Sequence, residues 1–250
     1  MRPKQNLIGV MPAKGMNMKS EPLVLCLTNT VAATFTANCL LAIGARPAMV
    51  EDPAEAETLA RTADALLVNL GTVTVAQAEV MRAAVRAANA CGTPWVLDPV
   101  GVQLLPARLR LARELLRHAP AIVRGNRAEI DCLGATGAVT LATDAVDAIL
   151  SPDGTLAQEI DGGVPMLQRV TATGCAQGGI CAALLGRGLP PTDVVCAASR
   201  LMKRAGERAW AQTQTPGSFQ SALIDALYLL GAEVGGARAK GKDEKVEVEG

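Results

Sequence analysis

The alternation of short, fully apolar runs with longer amphipathic ones constrains the fold of this chain more than any other feature. Apolar runs without a polar face are typical of strands covered on both sides, and their alternation with helical patterns predicts an α/β fold with a mostly parallel sheet. The predicted strands are Leu23–Thr28, Pro47–Val50, Ala65–Leu70, Trp95–Asp98, Ala121–Arg124 and Val139–Thr143.

Helical periodicity fills the intervals between these runs and continues after them. Hairpin-like residues at 151–154 and 161–163 separate the strands from the last three helices. We expect a single domain over residues 1–234 and a disordered tail over 235–250, which is rich in Gly, Lys and Glu. The predicted helices are Val31–Ile43, Ala54–Arg61, Val75–Asn89, Ala107–Arg117, Thr173–Gly186, Thr192–Gln212 and Ser218–Leu230.

Composition and charge exclude several classes of partner. The 250 residues carry 24 basic and 24 acidic side chains, and only 2% are aromatic. A neutral chain lacks the basic surface and stacking platforms that nucleic acids and anionic membranes require. Residues 1–20 have no long apolar region, so no secretion signal is expected. We expect a small-molecule ligand, no nucleic acid and no membrane.

The seven cysteines indicate reduced thiols and therefore a cytoplasmic protein. Their number is odd, no two form a Cys-x-x-Cys pair, and they are scattered through apolar segments. Zinc is not expected, because the only histidine is His118, which we place at a helix end.

Polar residues follow four of the predicted strands. They are Asn29, Asn69 with Gly71, Asp98, and Arg124 with Asn126. Each is compatible with an ordinary turn. Parallel strands would bring them to one sheet edge, where amides, a carboxylate and a guanidinium suit an anionic ligand such as a nucleotide with its metal.

The segment Val170–Cys175 opens a predicted helix with small residues. Free N–H groups and the positive end of the helix dipole would there face an anion. No Gly-Lys-Ser/Thr follows, so this is not a Walker A loop, and no GxGxxG precedes the first helix to indicate a dehydrogenase. A thiol at this position is expected to have a lowered pKa. The alternative is a tight turn with a small buried cysteine.

Several segments together resemble the hydroxyethylthiazole kinase family of thiamine salvage. The resemblance covers residues 22–230 and implies a ribokinase-like three-layer sandwich with helices on both faces of the sheet. It also implies a homotrimer with sites at subunit interfaces, and transfer of phosphate from ATP, with Mg²⁺, to 4-methyl-5-(2-hydroxyethyl)thiazole. The matching segments are Leu27–Asn29, Phe35–Asn38, Gly44–Met49, Asn69–Thr72, Leu97–Gly101, Arg124–Glu129, Thr173–Cys175 and Pro216–Phe219.

The resemblance also implies a role for individual residues. Cys175 stands where related kinases keep an aspartate base, and Asp98 and Glu129 match acidic positions near Mg²⁺. The residues implied for ATP are Arg124, Asn126, Thr143 and Gly174. Those implied for the thiazole are Asn29, Met49, Gly71 and Ala172.

The sequence departs from the family pattern in three places. Ala172 and Asp144 stand where the family has glycine, and only residues 127–138 connect two predicted strands where the family has a longer helical segment. We predict a truncated helix around Ala128–Leu133, with either a shifted Val139–Thr143 strand or a thinned nucleotide-side layer. Two alternatives therefore stay open: a kinase with an altered acceptor, and a thiazole-binding trimer impaired in catalysis.

Overall fold

A single eight-stranded sheet organises the molecule. The computed structural model describes residues 19–234, so the predicted tail at 235–250 lies outside the described residues. The strand order is β2-β1-β3-β4-β5-β6-β7-β8, and the neighbours among β1 to β6 run parallel while β7 and β8 are antiparallel to their neighbours. The strands are β1 (Leu23–Leu27), β2 (Arg46–Met49), β3 (Ala65–Asn69), β4 (Trp95–Asp98), β5 (Ile122–Asn126), β6 (Val139–Thr143), β7 (Asp147–Leu150) and β8 (Leu156–Ile160).

Eight helices accompany these strands within residues 19–234, together with a short 3₁₀ helix at Pro165–Gln168. All seven predicted helices and all six predicted strands are present, with ends shifted by no more than a few residues. His118 follows the end of its helix, as expected. The helices are α1 (Ala33–Ala42), α2 (Pro53–Thr62), α3 (Val75–Cys91), α4 (Pro106–Leu116), α5 (Arg127–Leu133), α6 (Thr173–Gly186), α7 (Pro191–Gln212) and α8 (Pro216–Val234).

Alternate residues of the strands β1, β3, β4, β5, β6 and β7 enter two separate hydrophobic clusters, one on each face of the sheet. In β1, Val24 belongs to the cluster with α1, α6, α7 and α8, whereas Leu25 belongs to the cluster with α2, α3, α4 and α5. The period-two alternation of a strand produces this division. The predicted three-layer sandwich is confirmed. Its extent as one domain over residues 1–234 stays a prediction.

The β7–β8 hairpin is the part of the sheet that the sequence did not predict as strands. Residues 151–154 form its turn, where Gly154 N donates to Ser151 O at 2.8 Å and Gly154 has a φ of +88°. β8 is an edge strand with four exposed residues, so it lacks the apolar character of the other strands. Residues 161–163, expected to be hairpin-like, lie in the four-residue connection 161–164 between β8 and the 3₁₀ helix.

The short crossover between β5 and β6 is accommodated by its helix. α5 is short, as predicted: it spans Arg127–Leu133, one residue more than the predicted Ala128–Leu133, and is followed by Gly134, which has a φ of +74°. β6 nevertheless pairs with β5 over five residues, from Ile122 with Val139 to Asn126 with Thr143. The shortened connection therefore shortens the helix and leaves the pairing of β5 with β6 intact.

Candidate active site

The polar residues that follow the parallel strands lie together at one edge of the sheet, as the sequence predicted. Asn29 follows β1, Asn69 and Asp98 end β3 and β4, and Arg124 lies in β5. Hydrogen bonds or an ion pair link each of them to a neighbour in this group. The first turn of α6 faces the same edge, because Cys175 accepts a hydrogen bond from Asn29.

A chain of side-chain amides connects Cys175 to a buried carboxyl group. Asn29 Nδ2 lies 3.4 Å from Cys175 Sγ and 2.9 Å from Asn69 Oδ1, and Asn69 Nδ2 donates to Asp98 Oδ2 at 2.6 Å. Gly71 N also donates to Asn69 Oδ1. A Cβ at Gly71 would lie 2.6 Å from Asn29 Nδ2, so a larger residue there would displace the amide. This chain of amides holds the Cys175 thiol in one position.

Asn69 is a member of this chain of amides that the sequence placed at a strand end but to which it assigned no individual role. It is fully buried at the end of β3, and it bonds both Asn29 and Asp98. A buried polar residue in an otherwise apolar strand was the signal that could have identified it.

Asp98 is fully buried, and burial raises the pKa of its carboxyl group to about 7. The nearby Arg124 guanidinium opposes this rise, with Nη1 lying 3.7 Å from Asp98 Oδ1. That oxygen has no hydrogen-bond partner. The pair is therefore close enough to interact as charges but is incompletely satisfied.

Arg124 lies against two of the other residues predicted to bind ATP, Thr143 and Gly174. Its Nη2 donates to Thr143 Oγ1 at 3.0 Å, and its Nε donates to Gln177 Oε1 at 3.2 Å. A Cβ at Gly174 would lie 2.6 Å from Arg124 Nη1, so glycine permits the guanidinium to lie against the start of α6. A cation is thus placed beside free backbone N–H groups, an arrangement suited to phosphate.

Asn126 and Glu129 form a capping box at the start of α5. Glu129 N donates to Asn126 Oδ1, and Asn126 N donates to Glu129 Oε2. The other oxygen, Oε1, accepts from Gly101 N at 2.7 Å in the loop after β4. Glu129 therefore holds two loops together, while its carboxylate still forms part of a cavity wall.

The pKa of Cys175 is shifted opposite to the sequence-based expectation. Burial and, to a lesser extent, the charge of Asp98 raise it to about 11, against the weaker opposing effects of hydrogen bonds from Asn69 and Asn29 and of the charge of Arg124. The prediction of a lowered pKa is wrong, because the cost of desolvating the thiolate exceeds what the helix start and Arg124 return. At neutral pH the group is a thiol.

Ala172, which stands where the family pattern has glycine, adopts the left-handed backbone conformation that glycine favours. Its φ is +70° and its ψ is −1°, and it immediately precedes α6. Thr173 Oγ1 fastens this turn by donating to Leu167 O at 2.7 Å. An L-residue is disfavoured in this region, so the turn is formed at a cost that glycine would avoid.

A cavity of about 1200 Å³ opens beside this edge of the sheet. Asn29, Met49, Gly71 and Asp98 are not among the described residues that line it. Met49 ends the edge strand β2 and is 38% exposed. The cavity gathers the predicted nucleotide residues, while the predicted thiazole residues other than Ala172 lie off its wall. The predicted site residues that line it are Arg124, Asn126, Glu129, Thr143, Ala172, Gly174 and Cys175.

Asp144 directly follows Thr143, a residue predicted to bind ATP, and its carboxylate would repel phosphates there unless it faced solvent or metal. It is exposed, and its Oδ1 accepts from Ala145 N at 2.7 Å within its own turn.

Among residues 19–231, no cluster of three or more His, Cys, Asp or Glu side chains forms a ready-made metal site. Within the same part of the chain, no helix is long and apolar enough to cross a membrane.

The model of the hydroxyethylthiazole kinase family matches residues 16–138 and 133–233. This chain belongs to the hydroxyethylthiazole kinase family. The two matched segments overlap at the shortened crossover.

Individual members of the hydroxyethylthiazole kinase family agree with this assignment. The chain is 42% identical over 243 residues to a hydroxyethylthiazole kinase of Tolumonas auensis, covering 86% of this chain and 90% of that one. It is 44% identical over 237 residues to one of Cronobacter sakazakii, covering 84% and 89%. A hydroxyethylthiazole kinase structure from Pyrococcus horikoshii superposes with a TM-score of 0.79 at 32% identity, covering 84% and 88%.

A more distant structure supports the fold alone. A ribokinase-like superfamily protein from Enterococcus faecalis superposes with a TM-score of 0.64 at 14% identity, covering 91% of this chain and 95% of that one. The ribokinase-like architecture expected from the sequence is thereby confirmed.

Proposed function

We propose that this chain transfers the γ-phosphate of ATP to the hydroxyl group of 4-methyl-5-(2-hydroxyethyl)thiazole in thiamine salvage. The observation that carries the proposal is the placement of Arg124 and Cys175 at the start of α6, on the wall of one large cavity, in a member of this family. Phosphoryl transfer depends mainly on positioning and charge stabilisation, and this site offers both.

The phosphates of ATP are assigned to Arg124 and the first turn of α6. A guanidinium fork and backbone N–H groups together stabilise charge on the transferring phosphoryl group. Thr143 and Asn126 line the same cavity and are assigned to the nucleotide, while Gly174 keeps the path to Arg124 open.

A magnesium ion fits this site when it is held through water. Glu129 lines the cavity, but both of its oxygens already accept backbone N–H groups, and Asp98 lies behind the wall. Mg²⁺ keeps several of its waters and uses few carboxylates, so Glu129 with the charge of Asp98 suffices. When bound, the ion would neutralise charge on the phosphates.

Cys175 is assigned to the orientation of the substrate hydroxyl group. A thiol whose pKa is raised to about 11 is not a preformed base at neutral pH. Asn29 donates to its sulfur, which leaves the S–H group available to the substrate. A loose transition state requires little help from a base, so an orienting thiol is sufficient.

The thiazole pocket is proposed to be completed by a neighbouring subunit of a homotrimer. Met49, assigned to the thiazole ring, lies at the open edge of the sheet, where its flexible thioether suits a flat heterocycle. Val31 and Leu41 are 61% and 57% exposed. Exposed apolar side chains favour association with a second copy.

The seven cysteines are all unpaired thiols, which supports the cytoplasm as the place of action.

The decisive experiment mixes the purified protein with ATP, Mg²⁺ and hydroxyethylthiazole and follows ADP and thiazole phosphate. We expect both products in equal amounts, with none in a control without enzyme. Thiazole binding without product would favour the impaired binding trimer. Formation of ADP only with another alcohol, such as a pyridoxal-like acceptor, would favour the altered kinase.

A further inference from the structure

Lys203 is a buried cation on the cavity wall to which the mechanism described above assigns no role. It lies in α7 and is only 6% exposed. Burying an ammonium group destabilises the fold strongly unless its protons are well partnered. Its partners therefore indicate what the charge is for.

The ammonium group of Lys203 joins two loops that are distant in sequence. Its Nζ donates to Ala145 O at 2.9 Å, in the turn between β6 and β7. It also donates to Gly162 O at 3.0 Å, in the loop after β8. Lys203 thus connects both loops to α7, and both loops line the cavity.

Asp147 and Ser199 hold this ammonium group in place. Lys203 Nζ lies 3.3 Å from Asp147 Oδ1, and Ser199 Oγ donates to Asp147 Oδ2 at 2.7 Å. Asp144 N donates to Asp147 Oδ1 at 3.1 Å, so the carboxylate also fastens the β6–β7 turn. A third, longer bond runs from Lys203 Nζ to Asp144 O at 3.4 Å. Three carbonyls and one carboxylate thus share the three protons of the ammonium group, which leaves none for a ligand.

We propose that Lys203, supported by Asp147 and Ser199, is a positioning residue for ATP that acts through these two loops. In the order of the sheet, β6, β7 and β8 extend away from β5, which carries Arg124. The cavity extends from Arg124 to both loops, which supply residues 144, 145 and 161–163 of its wall. We therefore place the ribose and base of a nucleotide with its phosphates at Arg124 beside the two loops that Lys203 joins. The inference rests on the proposed function, since it assumes that the cavity receives ATP.

The test is the kinetics of Lys203→Met, which keeps the apolar stem and removes the charge. We expect the KM for ATP to rise about tenfold, with kcat within about threefold of the parent and the KM for hydroxyethylthiazole unchanged. Lys203→Arg, which keeps a cation, should recover part of the affinity. A merely structural role would lower the folded fraction and hence kcat, while leaving the KM for ATP as it was.

Lys19→Met is the matched control. Lys19 also pairs with an aspartate, Asp64, at 2.7 Å, but this pair precedes β1 and β3 at the opposite sheet edge. All kinetic constants of this variant should equal those of the parent. A folded Lys203→Met protein with the parental KM for ATP would overturn the proposal.

Two further measurements cover the remaining outcomes. If Lys203→Met does not fold, Ser199→Ala removes one bond to Asp147 and should raise the KM for ATP about twofold to fourfold, while an unchanged value refutes the proposal. If the parent forms no product, calorimetric titration with Mg²⁺-ATP replaces kinetics. Weaker binding by the variant supports the proposal, and equal binding refutes it. No binding by the parent contradicts the proposed function as well.

Discussion

Two buried cation–carboxylate pairs lie beside the cavity, and they differ in how completely their polar atoms are satisfied. Arg124 and Asp98 approach only to 3.7 Å, and Asp98 Oδ1 has no hydrogen-bond partner. Lys203 and Asp147 approach to 3.3 Å, and both oxygens of Asp147 accept further hydrogen bonds. The incomplete pair is expected to change its partners when a ligand arrives, whereas the complete pair maintains the shape of the site.

The largest expected effect comes from removing the cation of the incomplete pair. Arg124→Ala should lower kcat/KM for ATP about 10³-fold, because the charge that stabilises the transferring phosphoryl group is lost. Steady-state kinetics at varied ATP would measure it. Arg108→Ala, which removes a bond to Val100 O in the loop after β4, is the matched control. A loss of less than tenfold in Arg124→Ala would show that this guanidinium does not contact the phosphates.

The carboxylates of the two pairs should respond oppositely to neutralisation. The pKa of Asp98 is raised from 3.8 to about 7, so the folded state loses stability as the pH rises from about 4 to 7. Asp98→Asn should remove this loss and raise the free energy of unfolding at pH 7.5 by up to about 4 kcal/mol. Urea unfolding of both proteins between pH 4 and pH 7.5 would measure the difference.

Asp147→Asn is the matched variant in the complete pair. It leaves the Lys203 ammonium group buried without its counter-ion, so the free energy of unfolding should fall by about 3 kcal/mol. The same urea series would measure it. A stabilised Asp147→Asn protein, or a destabilised Asp98→Asn protein, would remove the distinction between the pairs.

A moderate effect is expected at the thiol that the amide chain links to Asp98. Cys175→Ala should lower kcat about tenfold to a hundredfold through loss of orientation, with little change in the KM for hydroxyethylthiazole. Because the pKa of Cys175 is raised to about 11, the parental kcat should show no ionisation of this thiol between pH 6 and pH 9. A rise of kcat through pH 8 that disappears in Cys175→Ala would identify a thiolate base instead.

The smallest effect is expected at the turn that leads into α6 beside Arg124. Ala172→Gly removes a Cβ from a residue with a φ of +70° and should stabilise the fold by about 0.5–1 kcal/mol. Ala119→Gly is the control, since Ala119 has a φ of +54° after α4 and does not line the cavity. Both variants should gain stability in urea unfolding, and only Ala172→Gly should change the kinetics. Equal kinetics would show that the turn is not part of the site.

Most of the strands that the sequence predicted are buried and largely apolar. The central strands β1, β3, β4, β5 and β6 have this character because helices cover both faces of the sheet, and sequence alone recognises that pattern, whereas the edge strand β2 is only partly buried. The strands β7 and β8 escaped prediction because β7 begins with a buried charged residue, Asp147, and β8 is an exposed edge. The proposed role of Lys203 was also not predicted from the sequence, because it depends on loops 40 to 60 residues away along the chain.

The sequence by itself determined the α/β class, the family, the truncated α5 and the strand ends at which polar residues gather, because these depend on local pattern and chain order. Tertiary structure alone decided the state of the groups in the site. Burial outweighs the helix start and raises the pKa of Cys175, and burial likewise raises the pKa of Asp98 to about 7, so that its carboxyl group is about half protonated at pH 7. Desolvation depends on everything packed around a group, so no spacing of residues along the chain reveals it.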